Sequence, residues 1–283
     1  MTEFYFGSHM STGNIIEAAK LVKNAGGNLI QIFLTSPGEK YIGKKSLETI
    51  KDFKNFMSDN NMKVVVHSSY LHNFAQNWDE YSWWITNFEI EIEYADLIGA
   101  IGVVLHFGKY KELTMPEAIN NMYTSLIYVH NHTIEHKNVK IILETSTGQG
   151  TEMFYQLQDM AHFFKKFSQN INKEVKKRFR LCIDTCHIFA AGYDLRNKTA
   201  IKTYLESLEE LIGIQYIALV HLNDCKVSLG CKKDRHQNIG KGFIGLEGLK
   251  LIFDYFKKLK VPIILETPGN GYITEIPLLL GNI

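Results

Sequence analysis

Short apolar runs of strand length alternate with amphipathic stretches along the whole chain. Residues 4–9 predict a strand ending Gly7-Ser8-His9. Over 14–25 the spacing predicts a helix, with Asn14 able to cap it and Ile15, Ala18, Ala19 and Val22 on one face. Leu29 to Leu34 is a strand, 46–60 a helix, and Val64-Val65-Val66 leads into His67. A helix over 81–98 precedes Val103-Val104-Leu105, which leads into His106. Then come a helix over 116–135, Ile141-Ile142-Leu143 leading into Glu144, and a helix over 152–168. Leu181-Cys182-Ile183 leads into Asp184, and a helix over 199–212 follows. Tyr216 to Val220 leads into His221, a polar loop spans 223–245, and 246–259 is helical. Pro262 to Leu265 finally leads into Glu266.

Unbroken apolar strands are what a parallel sheet covered on both faces requires. Eight strands alternating with helices predict an α/β fold, a (β/α)8 TIM barrel forming a single domain over 1–283. A doubly wound sheet would show a glycine-rich phosphate fingerprint after its first strand, and Gly7-Ser8-His9 does not match it. The long loop at 223–245 is expected to be functional.

Composition narrows the reading. Hydrophobic residues make up 45%, enough for a large core, and the formal net charge is +1. The molecule as a whole is therefore no electrostatic trap for a polyanion, and phosphate affinity must come from a local patch or from metal ions. No apolar run is long enough to span a membrane, and residues 1–10 lack a leader pattern. The expectation is a soluble intracellular monomer, cytoplasmic or nuclear, with no membrane partner. Cys182, Cys186, Cys225 and Cys231 form no CxxC pair and are most simply free thiols.

The candidate chemistry lies at the strand ends. His67, His106, Glu144, Asp184, His221 and Glu266 each follow an apolar run, and in a barrel those ends converge on the active-site face. Any one alone is more simply a satisfied structural group; Asp184 alone reads as a helix cap. Six together point to metal. His187, three residues past Asp184, and the Asp-Arg-His of Asp234 and His236 extend the set. Nine ligands exceed what one zinc needs. Three divalent ions against the four carboxylates leave a local excess of two positive charges, suited to an anionic phosphodiester.

These residues resemble a known family. Val-His-Ser-Ser-Tyr at 66–70, Leu-His-Phe-Gly at 105–108 and Leu-Glu-Thr-Ser-Thr-Gly-Gln-Gly at 143–150 are similar to endonuclease IV. So are Cys-Ile-Asp-Thr-Cys-His at 182–187, His-Leu-Asn-Asp at 221–224, Asp-Arg-His at 234–236 and Leu-Glu-Thr-Pro at 265–268. The resemblance implies a DNA-repair endonuclease of base excision repair, acting on duplex DNA with abasic sites. It would cut 5′ to the lesion, leave a 3′-hydroxyl and remove 3′ blocking groups. It implies three Zn2+ per chain: one on His67, His106 and Glu144; a second on Glu144, Asp184, His221 and Glu266; a third on His187, Asp234 and His236. Glu144 would be catalytic, orienting the attacking hydroxide. Tyr70 and Leu71 fall where the family inserts side chains into damaged duplex. Lys226 and Arg235 lie in a basic stretch suited to phosphate contacts. The loop Thr35 to Lys40 departs from the family, which carries an arginine near Pro37; Lys40 lacks that planar head. Sugar isomerases of the xylose-isomerase-like barrels would also use Glu144, Asp184, His221 and Glu266, but have no need of the other five ligands.

Overall fold

The computed structural model describes residues 3–11, 13–35, 39, 40, 42 and 47–282. Ser36 to Gly38, with the loop position near Pro37, and residue 46 of the predicted second helix lie outside them.

In chain order the elements are β1 (Phe6–Met10), α1 (Ile15–Asn24), β2 (Leu29–Phe33), α2 (Leu47–Asp59), β3 (Lys63–His67), α3 (Trp83–Leu97) and β4 (Gly102–His106). They continue with α4 (Met115–His132), β5 (Lys140–Glu144), α5 (Leu157–Ser168), α6 (Lys173–Arg178), β6 (Phe179–Asp184), α7 (Thr185–Ala191) and α8 (Lys198–Leu211). The last are β7 (Ile217–His221), β8 (Asp224–Cys225), β9 (His236–Gln237), α9 (Gly245–Leu259), β10 (Ile263–Leu265) and α10 (Tyr272–Leu280). Strands β1 to β7 and β10 close a parallel barrel in the order β1-β10-β7-β6-β5-β4-β3-β2. This is a TIM barrel. Among the described residues no helix is long and apolar enough to cross a membrane.

Local chemistry sets the helix ends. Asn14 caps α1 by accepting from the amides of Ile16 and Glu17. Thr114 and Glu117 form a capping box on α4. Two apolar layers result. One packs the strands against the helices. A smaller one, Leu29, Val65, Val104, Ile142, Cys182, Leu219 and Ile264, takes one residue from each of seven barrel strands.

Five features differ from the sequence reading, one being the short charged helix α6, which it did not predict. Helix α5 begins at Leu157, not 152, because Gly148, Gly150 and Phe154 hold positive φ and keep the preceding segment irregular. Helix α7 is wholly buried, so it shows no amphipathic period. Helix α10 contains Pro277, which hides it from a propensity reading. The stretch 223–245 is not simply a loop: β8 and β9 pair antiparallel within it.

A buried polar network joins the loop stems after β2 and β3. Asn87 Nδ2 donates to His72 Nε2 (3.0 Å), and the His72 Nδ1–H faces Ser68 Oγ (2.7 Å). Ser68 Oγ donates to Glu91 Oε2 (2.5 Å), and Thr35 Oγ1 donates to Glu91 Oε1 (2.9 Å). Burial pushes the Glu91 carboxyl up to about 7, against the hydrogen bonds from Ser68 and Thr35. Between about pH 4.5 and 7 the unfolded chain has released this proton while the native chain keeps it. Raising the pH through that window therefore costs the native state up to roughly 3 kcal/mol, at 1.36 kcal/mol per pH unit. Glu91→Gln lacks the titration. Its urea-denaturation stability relative to the wild type should thus rise from pH 5 to pH 7.5; a pH-independent difference would show that Glu91 does not titrate in this range.

Candidate metal centre

Side chains alternate faces along a strand, so residues two apart share one. Each member of the smaller apolar layer sits two positions before a polar residue, which ends or just follows the strand in six cases and stands mid-strand in β2. Leu29 precedes Gln31, Val65 His67, Val104 His106, Ile142 Glu144, Cys182 Asp184, Leu219 His221 and Ile264 Glu266. The inner layer thus ends in a polar ring, to which β1 adds His9, paired in register with Gln31. Six of these eight are the strand-end residues singled out in the sequence. His9 and Gln31 are not.

Glu144 stands at the middle of the ring, fully buried. Its Oε2 lies 3.2 Å from His67 Nε2 and 3.3 Å from His106 Nε2. Its Oε1 lies 3.1 Å from His221 Nδ1 and 3.3 Å from His187 Nδ1. His221 Nδ1 also faces Glu266 Oε2 at 3.2 Å and Asp184 Oδ2 at 3.9 Å. Asp234 Oδ1 lies 3.4 Å from His187 Nε2 and 3.2 Å from His236 Nε2. Among the described residues, possible ligand atoms gather within 4.8 Å of one another in four sets: His67, His106, Glu144; Glu144, Asp184, His221, Glu266; His187, Asp234, His236; and Asp184, Cys186, His236, which shares its Asp and His with two of the others.

The hydrogen bonds fix how the rings present themselves. His67 Nδ1 donates to Ser68 O (2.8 Å), His187 Nδ1 to Thr145 O (2.8 Å) and His236 Nδ1 to Glu266 O (3.3 Å). Each ring then turns the lone pair of Nε2 toward a carboxylate oxygen. Nε2 of His187 and of His236 is buried with no hydrogen-bond partner. Lone pairs facing anions require positive charge between them, from protons or from a metal ion. The spacings suit a metal: around a tetrahedral zinc with bonds of about 2.0–2.1 Å, neighbouring ligand atoms stand roughly 3.3 Å apart. Charge-assisted hydrogen bonds are shorter, about 2.7–2.9 Å. Nitrogen and carboxylate oxygen together are a zinc-type donor set.

In the chain alone, protons play the metal's part. Burial opposes charge on His187 and His221, but Asp184 and Asp234 around the first, and Cys182, Glu266 and Glu144 around the second, hold both well above the usual imidazole range. Burial likewise opposes the Glu144 carboxylate, yet His106, His221 and His187 hold it well below its usual range. Metal would have to displace those protons.

Asp184 meets both sequence readings of it. Its Oδ1 caps α7 by accepting from the His187 amide (2.8 Å), while its Oδ2 faces His221 and His236. Asn223, overlooked in the sequence, locks two carboxylates. Its Nδ2 donates to Asp184 Oδ2 (2.7 Å) and Glu266 Oε2 (3.3 Å), and its Oδ1 accepts from the Glu266 amide (2.7 Å). Its position two after His221 was the available signal. Asp224 organises the loop instead, accepting from the amides of Cys225, Gly242, Ile244 and Gly245. Gly242 is needed there, since a Cβ would stand 2.5 Å from Asp224 Oδ1. Cys186 and Cys225 are buried, and Cys186 Sγ donates to Arg235 O (3.6 Å).

A cleft of about 740 Å3 opens beside the ring. Tyr70, Leu71, Lys226 and Arg235 all line it, as do Lys109 and Lys111. Tyr70 is 58% exposed, yet its ring packs edge-on within 5.4 Å of His67 and His106 and 5.3 Å of Phe33. Lys40 does not reach the cleft; its Nζ lies 5.5 Å from the Trp83 ring centre.

Residues 19–279 match the family model described as Xylose isomerase-like TIM barrel. The chain is 36% identical to "Probable endonuclease 4" of Mycoplasma mobile, covering 97% of each protein. It is 35% identical to "Apurinic-apyrimidinic endonuclease 1" of Schizosaccharomyces pombe, over 84% of this chain and 66% of that one. In fold it matches the crystal structure of endonuclease IV from Thermus thermophilus, with a TM-score of 0.83, 23% identity and 98% of each chain covered.

Asn223→Ala leaves the half-buried Glu266 amide without its acceptor and removes donors from two carboxylates. Stability of chelator-treated protein should fall by about 1–3 kcal/mol in urea denaturation. An unchanged midpoint and slope would show that Asn223 does not carry these bonds.

Proposed function

The chain belongs to the endonuclease IV family, and from that membership and the ring geometry we propose that it is a zinc-dependent DNA-repair endonuclease acting on abasic sites in duplex DNA. It hydrolyses the phosphodiester 5′ to the lesion, leaves a 3′-hydroxyl and clears 3′ blocking groups. The observation that carries the reading is the set of nine candidate ligand residues: seven meet nitrogen to carboxylate oxygen at 3.1–3.4 Å around Glu144 and Asp234, Glu266 faces His221 at 3.2 Å and Asp184 faces His236 at 3.5 Å. Relatives named for abasic-site and endonuclease 4 activity support it.

His67, His106 and Glu144 would hold one zinc; Glu144, Asp184, His221 and Glu266 a second; His187, Asp234 and His236 a third. Bound zinc supplies acidification of water and stabilisation of charge on the attacking and leaving oxygens. Glu144 directs one oxygen to each of two ligand sets, holds them in register and orients the attacking water. Tyr70 and Leu71, at the cleft rim, fill the gap where an abasic site leaves the stack open. Lys109, Lys111, Lys226 and Arg235 supply phosphate contacts that the near-neutral chain otherwise lacks. A sugar-isomerase activity would need only the Glu144, Asp184, His221 and Glu266 set. The other five ligands favour the nuclease.

Purified protein should nick duplex DNA bearing one abasic site without added magnesium, leaving a 3′ end that a polymerase extends directly. A lyase product with an unsaturated 3′ aldehyde would refute hydrolysis. Asp234→Ala with His236→Ala should lower zinc by about one ion per chain and cut incision by about a hundredfold or more, the scale of losing one transition-state stabiliser. Full zinc content with normal incision would make the Asp-Arg-His segment an ordinary loop. Tyr70→Ala should weaken binding to abasic duplex more than to undamaged duplex, and an unchanged ratio of the two affinities would remove Tyr70 from lesion reading.

A further inference from the structure

Gln31 is the polar residue of an otherwise apolar strand, Leu-Ile-Gln-Ile-Phe, and it is fully buried. Its carboxamide is saturated. Nε2 stands 2.6 Å from Glu266 Oε1 and 3.0 Å from His9 Nδ1, and Oε1 stands 2.8 Å from His221 Nε2. The amide's orientation follows from one fact: a carboxylate only accepts hydrogen bonds. A flipped amide would press Oε1 against Glu266 Oε1. With Nε2 toward Glu266, Oε1 must face His221, and Oε1 too can only accept. The proton of His221 must then sit on Nε2. Its Nδ1 lone pair is left pointing at Glu144 Oε1, Glu266 Oε2 and Asp184 Oδ2. The second amide hydrogen meets His9, whose Nδ1 must accept it.

We propose that Gln31 is a positioning residue of the metal centre: it fixes His221 as its Nε2–H tautomer, aims Nδ1 at the ion and anchors Glu266 beside it. The inference rests on the zinc reading above. Partners of this kind commonly fix the tautomer and ring orientation of ligating histidines, and their loss weakens metal binding about 10- to 100-fold. Here one side chain serves two ligands of the same set from a strand that contributes no ligand itself.

The test uses the zinc-loaded chain. Histidine-selective 15N labelling, with the His221 signals assigned by their loss in His221→Gln, should show Nε2 protonated and Nδ1 bonded to metal. The opposite assignment overturns the proposal, with no Gln31 variant needed. Gln31→Leu, folded by circular dichroism, should lose one zinc to a competing chelator about 10- to 100-fold more readily than the wild type. Gln31→Glu keeps an acceptor for His221 but sets a second carboxylate against Glu266. It should retain the Nε2–H tautomer while also losing zinc more readily. Zinc retention equal to the wild type in both variants would overturn the positioning role while leaving the nuclease reading in place. A wild-type chain that takes up no zinc would overturn both.

Discussion

Four carboxylates and five imidazoles crowded at one barrel mouth cannot coexist as bare anions and neutral rings. Glu144, Asp184, Asp234 and Glu266 face ring nitrogens at 3.1–3.9 Å, and backbone acceptors already bind the other nitrogen of His67, His187 and His236. Positive charge has to lie among them, and everything else at this end of the molecule serves that requirement. The barrel is suited to meeting it. Six of these nine residues end, or in the case of Glu266 directly follow, strands whose backbones are hydrogen-bonded on both sides, so repulsion between them cannot be relieved by a loop drifting away. Glu144 couples the parts because its two oxygens look toward different sets of rings.

The strand ends were legible because two periodicities coincide there. An apolar run marks each strand, and a metal-capable side chain at its end breaks the run. His9 and Gln31 occupy equivalent ring positions but were not recognised. A buried amide in Leu-Ile-Gln-Ile-Phe carries no ligand chemistry, and Ser8-His9 closes a strand with no matching motif. The missed helices have physical causes too. Helix α7 is buried on every side, α6 is a six-residue charged turn, and Pro277 sits inside α10. Asp184 shows why a single residue could not be decided alone. Capping α7 and facing the rings are tasks for different oxygens of one side chain, so the two readings never competed.

The cleft rim that carries Tyr70 and Leu71 rests on a second buried polar system. Thr35, two residues after the second strand, and Ser68, one residue after His67, both donate to Glu91 on α3. Tyr70 and Leu71 therefore project from a stem tied both to the barrel through His67 and to the outer helix through Ser68. A side chain that enters a duplex gains from such bracing, since less freedom remains to be lost on binding. Lys232 is held outside the main cleft, its Nζ 4.3 Å from the Tyr155 ring centre and 3.1 Å from the Tyr155 hydroxyl.

The small antiparallel hairpin of β8 and β9 has an evolutionary consequence. Glu144, Asp184, His221 and Glu266 stand on the barrel strands or one residue past them, and these four alone already form one of the candidate ligand sets. Asp234 and His236 ride on an excursion between two barrel strands, braced at its stems by Asp224 and by the core residues Cys225, Ile239 and Ile244. Such an excursion can lengthen, shorten or vanish without altering a strand pairing of the barrel. Within this architecture, a change of chemistry is a change of insertion: a lineage can add or shed the Asp-Arg-His side chains while the barrel beneath them stays the same.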